Sequence, residues 1–234
     1  MLDFEEEYLI SLCIEYRYRF EYLNKTMVEA ELSKEYGRGG VTLHRGFYCP
    51  SPVEDIILGG SDRGRLVRTL RSSTPVDYVY QKAGDKLRIV DIIDNEKENT
   101  SRIHRRELIV YREAEEIALT YDMVFDLHDL RFLSLCRYDS TGKIMKYLTL
   151  LPNFLSRGGK YTVENKSCVY YGEQYSYNDE TGLLESIIMG GKFNDYVRGH
   201  SYRFYHDETG RLISYQDIET GTLREIAKRK RRMV

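Results

Sequence analysis

The chain has no tryptophan, and among its 234 residues only four are proline and four cysteine. So few prolines exclude a stiff polyproline linker. Cys13, Cys49, Cys136 and Cys168 are scattered, with no C-x-x-C pair. That spacing reads as reduced core or surface thiols and not as a disulfide framework or a zinc site. No run approaches the roughly 20 apolar residues that a bilayer-spanning helix needs. The opening, MLDFEEEYLI, is acidic where a secretory signal is basic, so the expected setting is cytoplasmic and soluble. G-x-S-x-G and H-E-x-x-H do not occur. The five histidines, His44, His104, His128, His200 and His206, include no pair at helical i+3 or i+4 spacing, which removes the helical metal motif.

What is abundant is tyrosine, 21 residues against 8 phenylalanines. Tyrosine suits strands that pack one face and wet the other. Net charge is −2, unevenly placed: Lys228, Arg229, Lys230, Arg231 and Arg232 carry +5, which leaves −7 on the rest.

Residues 3–36 contain no Gly or Pro, and Asp3 with Glu5, Glu6 and Glu7 suits a helix start. Leu9, Cys13, Tyr16, Phe20, Leu23, Met27 and Ala30 fall on one helical stripe. The spacing predicts a helix over 3–36 whose stripe faces a core. Alternation of Ile14, Tyr16, Tyr18, Phe20 and Tyr22 with charged residues is a competing strand signal. From residue 41 to 227 the pattern changes to strands and turns, with strands expected at 106–113, 131–139, 167–177 and 201–207. DNEKENTSR (94–102) reads as an exposed loop and LPNFLSRGGKY (151–161) as a connection. Neither forces a domain boundary, so one domain, 1–234, is expected.

Internal similarity supports hairpins. YNDETGLLES (177–186) aligns without gaps to YHDETGRLIS (205–214), an offset of 28 residues, and ETGTL (219–223) repeats the turn. Looser copies are CRYDSTGKIMKY (136–147), DYVYQKAGDKLRIV (77–90) and SDRGRLVRTL (61–70). Alternating aromatics make the incoming strand, Asp bonds local backbone, Gly takes positive φ, and a Leu or Ile two residues on returns to the core. EDIILGG (54–60) and ESIIMGG (185–191) share five of seven positions and read as an outgoing strand ended by a Gly-Gly bend. The expected fold is α+β or mainly β: an N-terminal helix packed on an antiparallel, Tyr-rich sheet built as a meander of hairpins.

YSYNDETGLLESI and YRFYHDETGRLISY resemble YD repeats, the units of Rhs-type and wall-associated polymorphic toxin proteins. The similarity is strongest over roughly the last 60 residues, with weaker matches from residue 53 onward. Long arrays in that family form shells, whereas this chain has few and irregular copies. Small cytoplasmic proteins with such repeats are similar to immunity proteins. The resemblance therefore implies a binding protein that occludes a cognate toxin domain, with a detached scaffold fragment as the alternative. Its binding residues would be Tyr177, Asp179, Glu180, Tyr205, Asp207 and Glu208, all of which also build turns.

For chemistry, DLHDL (126–130) places Asp126 and His128 on one side of a strand with Asp129 opposite, best read as a wet polar face. Cys49 in FYCPSP (47–52), with His44 as a base, is a nucleophile only if the fold brings them together. GRGG (37–40) and GGSDRGR (59–65) lack the Lys-Ser/Thr of a phosphate loop and read as bends. His206 sits inside a turn. No catalytic residue, metal ligand or cofactor is assigned, and an enzyme using dispersed His, Asp and Cys is the remaining alternative. The basic tail, 228–234, reads as a solvated end, with nucleic-acid binding confined to it.

Overall fold

A computed structural model describes residues 2–28, 31–39, 45–57, 64–70, 76–94, 103–123, 128–157, 160–194 and 196–226, with the side chains of 54–55, 155–157 and 160–161 left aside. Among the described residues there are three α-helices, α1 (Glu6–Tyr16), α2 (Phe20–Val28) and α3 (Val53–Ile56). The strands are β1 (Ser33–Arg38), β2 (Arg65–Val67), β3 (Val76–Ala83), β4 (Lys86–Asp94), β5 (Ile103–Arg112), β6 (Glu115–Asp122), β7 (Leu130–Tyr138), β8 (Ile144–Leu151), β9 (Phe154–Arg157), β10 (Lys160–Val163), β11 (Val169–Tyr177), β12 (Leu184–Phe193), β13 (Tyr196–His206), β14 (Leu212–Asp217) and β15 (Leu223–Glu225). Thirteen of them form one antiparallel sheet in the order β15-β14-β13-β12-β11-β8-β7-β6-β5-β4-β3-β1-β2, and β9 pairs with β10. The expected antiparallel meander carrying N-terminal helices is therefore the fold. No helix among the described residues is long and apolar enough to cross a membrane.

The helix expected over 3–36 is corrected. The chain leaves α1 at Tyr16, resumes as α2 at Phe20, and is extended by Ser33. Tertiary contacts account for the break. The Tyr121 phenol, at the end of β6, donates to the Tyr16 carbonyl at 2.8 Å, an oxygen a continuous helix would spend on its own fourth neighbour. Residues 33–38 find hydrogen-bond partners on β2 and β3, so β structure starts before residue 41. The stripe itself keeps its phase across the kink. Leu9, Cys13, Tyr16, Phe20 and Met27 are buried and Leu23 packs beside them, while Ala30 lies outside the described residues.

Period-two alternation gives the sheet two packed faces. Leu108, Ile117, Leu119, Leu133, Leu135, Leu148, Leu150 and Tyr170 pack beneath α1 and α2. The acidic helix start is tied down by cross-chain ion pairs: Glu5 with Arg137 and Lys146, and Glu6 with Lys192. On the opposite face Ile109, Ala118, Tyr78 and Tyr80 form one cluster, and Cys136, Tyr147, Tyr175, Ile187, Tyr202, Phe204 and Tyr215 form another. Residues 45–57 lie over this second face: the Tyr80 phenol accepts the Phe47 N–H at 3.0 Å, and Val53 is 1% exposed within the second cluster.

Two further expectations change. Residues 53–56, which take in the start of EDIILGG (54–60), are helical, started by Pro52, whose fixed φ suits a first turn, while 58–60 lie outside the described residues. In ESIIMGG the glycines do not bend the chain; Gly190 and Gly191 sit within β12. A Cβ on Gly190 would lie 2.6 Å from the Arg198 carbonyl oxygen, so close backbone approach explains that glycine. Within the connection LPNFLSRGGKY, residues 154–157 form β9, which pairs antiparallel with β10.

Candidate functional site

The repeated turns occupy one end of the sheet, joining β7 to β8, β11 to β12 and β13 to β14. Asp139 Oδ1 accepts the N–H groups of Thr141 and Lys143 and the Thr141 hydroxyl, at 2.7–2.9 Å. Asp207 Oδ1 does the same for Thr209 and Arg211, at 2.6–3.0 Å. The Thr hydroxyls, with the backbone donors, hold both carboxylates below the usual aspartate range. Gly142, Gly182, Gly210 and Gly221 all have positive φ, between 67° and 84°, as the pattern requires.

The gapless alignment nevertheless fails in detail. In the turn after β11 the receiving atom is Asn178 Oδ1, which bonds the Glu180 and Thr181 N–H groups and the Thr181 hydroxyl. That loop closes from Asn178 N–H to Leu183 O, one residue longer than the closure from Asp207 N–H to Arg211 O. The Asp217 turn, closed from Asp217 N–H to Thr222 O, follows the longer form. Asp179 is therefore an exposed tip residue, and Asn178 and Asp207 are the equivalent pair.

Of the six binding candidates, Asp179, Glu180 and Glu208 project at neighbouring tips, where Gly210 approaches the Leu183 side chain and Gly182 approaches Lys143. Asp207 is committed to its turn. Tyr177 points inward and donates to the Ile144 carbonyl at 2.9 Å. Tyr205 is 36% exposed on the other face and donates to Gln216 Oε1 at 2.9 Å. The six are thus divided between the two faces and the turn row.

On the helix side, the face of β12–β15 extends past α1 and α2. Cross-strand pairing puts Ser186, Arg203, Gln216 and Leu223 in one row, and Tyr205, Ser214 and Glu225 in the next. Val197 and Leu223 are 48% and 59% exposed on this face. At the far end of the β12–β13 hairpin, Phe193 and Tyr196 are 49% and 68% exposed. Mixed polar, tyrosine and aliphatic surface of this kind is suited to contact with another protein.

A buried polar cluster missed at the level of sequence lies under residues 45–57. Arg45, 2% exposed, pairs with Glu116, donates to Ser134 Oγ at 3.1 Å, and holds its Nε 3.8 Å from Glu107 Oε1. Burial pushes Glu107 above the usual carboxylate range despite the Arg45 charge. Burial also works against the Arg45 cation, yet Glu107 keeps it firmly protonated. Nearby, Ser51 donates to Glu173 at 2.8 Å, and the Tyr171 and Tyr175 phenols donate to the same carboxylate. Glu107 and Glu173 were legible only as polar positions within strands. Their inward positions go with residues 45–57 lying over them, Arg45 reaching Glu107 and Ser51 reaching Glu173.

The chemistry weighed for enzymes is not assembled by the described residues. Burial pushes the Cys136 thiol up to about 11, and it also raises Cys13 and Cys168, so these three remain thiols at neutral pH. Cys49 is buried at 6%, and its proposed base His44 lies outside the described residues. His128 is not on a strand face. It has φ 41°, lies 3.0 Å from Glu21 Oε1, and packs on Phe20. Asp126 and the 228–232 basic run also lie outside the described residues, and Asp129 pairs with Arg17. A scan against models of protein families and a search of curated proteins both find no match for this chain.

Proposed function

We propose that this chain is a binding protein that engages a partner protein through its C-terminal hairpins, in the manner of an immunity protein occluding a toxin domain. The observation that carries the reading is the face of β12–β15 beyond the helices, with Tyr205, Val197 and Leu223 exposed amid Ser, Gln and Arg. Tyrosine there offers large contact area with a polar tip at small entropic cost. Asp179, Glu180 and Glu208 border this face at the turn row and would steer a basic partner by long-range attraction. Tyr177 and Asp207 have structural work instead, so the interface shifts from the turns themselves to the strand face beside them.

The test is capture with the tagged full-length chain beside a Val197→Ser/Tyr205→Ser/Leu223→Ser variant of equal thermal stability. The expected result is stoichiometric recovery of a toxin domain by the parent chain, inhibition of that domain's activity in vitro, and loss of both in the variant. Recovery of nothing from a lysate shown to contain candidate toxin domains would overturn the reading. So would equal capture by parent and variant.

A further inference from the structure

We propose that His200, Asp217 and Glu219 form a binding site for one divalent transition-metal ion of the zinc class. The three come from β13, the end of β14 and the following turn, and one ligand atom from each lies within 4.8 Å of the other two. The pairing that sets Tyr202 opposite Asp217 carries His200 to the level of Glu219 and onto the face of the second cluster, where its ring stacks on Tyr202.

Three details favour an ion over a simple ion pair. First, His200 Nδ1 is shut off from solvent and has no hydrogen-bond partner among the described residues. A buried ring nitrogen left in that condition calls for an explanation. Second, Nδ1 lies 3.8 Å from Asp217 Oδ2. This exceeds hydrogen-bond length, yet it is close to the roughly 3.4 Å that separates adjacent tetrahedral ligands around zinc. Third, both carboxylates are oriented by backbone N–H groups. Asp217 Oδ1 accepts from Thr220 at 3.0 Å, and Glu219 Oε2 accepts from Ser201 at 2.8 Å. Metal sites use outer hydrogen bonds of this kind to aim their ligands.

The donor set selects the class of ion. An imidazole with two carboxylates favours zinc and its neighbours over calcium or magnesium, which prefer oxygen alone. Three protein ligands leave a fourth position for water. Helical spacing of histidines cannot reveal this site, because the hairpin register, not the sequence interval, brings the three together.

The test is equilibrium binding of Zn2+ to the full chain, with the visible spectrum of the Co2+-loaded chain as a second readout. His200→Ala removes one ligand, whereas Asp217→Asn/Glu219→Gln keeps an oxygen for each backbone N–H and so preserves the turn. The expected result is uptake of one equivalent with a cobalt spectrum of low symmetry. In both variants affinity falls by at least about tenfold, with unchanged circular dichroism. No saturable uptake by the parent chain would overturn the proposal. Undiminished uptake by both folded variants would do the same, since other histidines, cysteines or carboxylates would then hold the ion.

Discussion

At the scale of single residues, adjacent glycines in β12 have opposite requirements. A Cβ on Gly190 meets the Arg198 carbonyl oxygen at 2.6 Å, whereas the nearest atom to a Cβ on Gly191 is 3.5 Å away. Backbone cannot move aside as a side chain can. Gly190→Ala is therefore expected to cost about 1–3 kcal/mol and Gly191→Ala to stay within about 0.5 kcal/mol of the parent. Urea unfolding of both variants checks this, and equal effects would show that the strands are not in the described register. The turn residues illustrate how far letters carry. Asp with a Thr-Gly two residues on was readable as a turn, and Asp139 and Asp207 build it as expected. Which residue takes the leading position in NDETG was not readable, since Asn178 and Asp179 are both competent and loop length decides between them.

At the scale of elements, the segment that most needed its tertiary context is 45–57. As a sequence it offers a cysteine between prolines and an arginine, with no periodicity. In the fold it lies over the second face and places Arg45 against Glu107, Glu116 and Ser134. Arg45→Met would leave the Glu107 carboxylate buried without its counter-charge, an arrangement that typically costs about 3–5 kcal/mol. Adding Glu107→Gln is expected to recover part of the loss. Chemical denaturation of the single and double variants measures both, and a single-variant cost under about 1 kcal/mol would mean that water already reaches the cluster. The helical region shows the complementary case. Its buried stripe was legible because 3.6-residue periodicity survives a kink. The kink was not, because it depends on a phenol contributed from residue 121. His200, Asp217 and Glu219 were hidden for a related reason, as their proximity exists only in the pairing of β13 with β14.

At the scale of the whole molecule, coverage varies along the sheet. Strands β5–β8 have the helices on one face and buried side chains on the other, while β14 and β15 lie beyond the helices at one edge. Hydrogen exchange read by mass spectrometry is expected to be slowest in β6 and β7 and fastest in β15, since opening free energies follow local burial. Protection of β15 equal to that of β6 would mean that a second molecule covers the edge in solution. The meander was legible from turn spacing, but the overall count of strands was not, because weakly patterned segments such as β1 and β2 join only through their neighbours. The interval from Asn178 to Asp207, the equivalent turn residues, limits how such a sheet can change length. It spans two strands with both their reversals, so one added or deleted copy returns the chain pointing the same way, with inward positions still inward. Half a copy would reverse the chain and exchange the two surfaces of everything downstream. The C-terminal end can thus be lengthened or shortened only in whole steps, much as a folded screen gains panels in pairs if its last panel must keep its orientation.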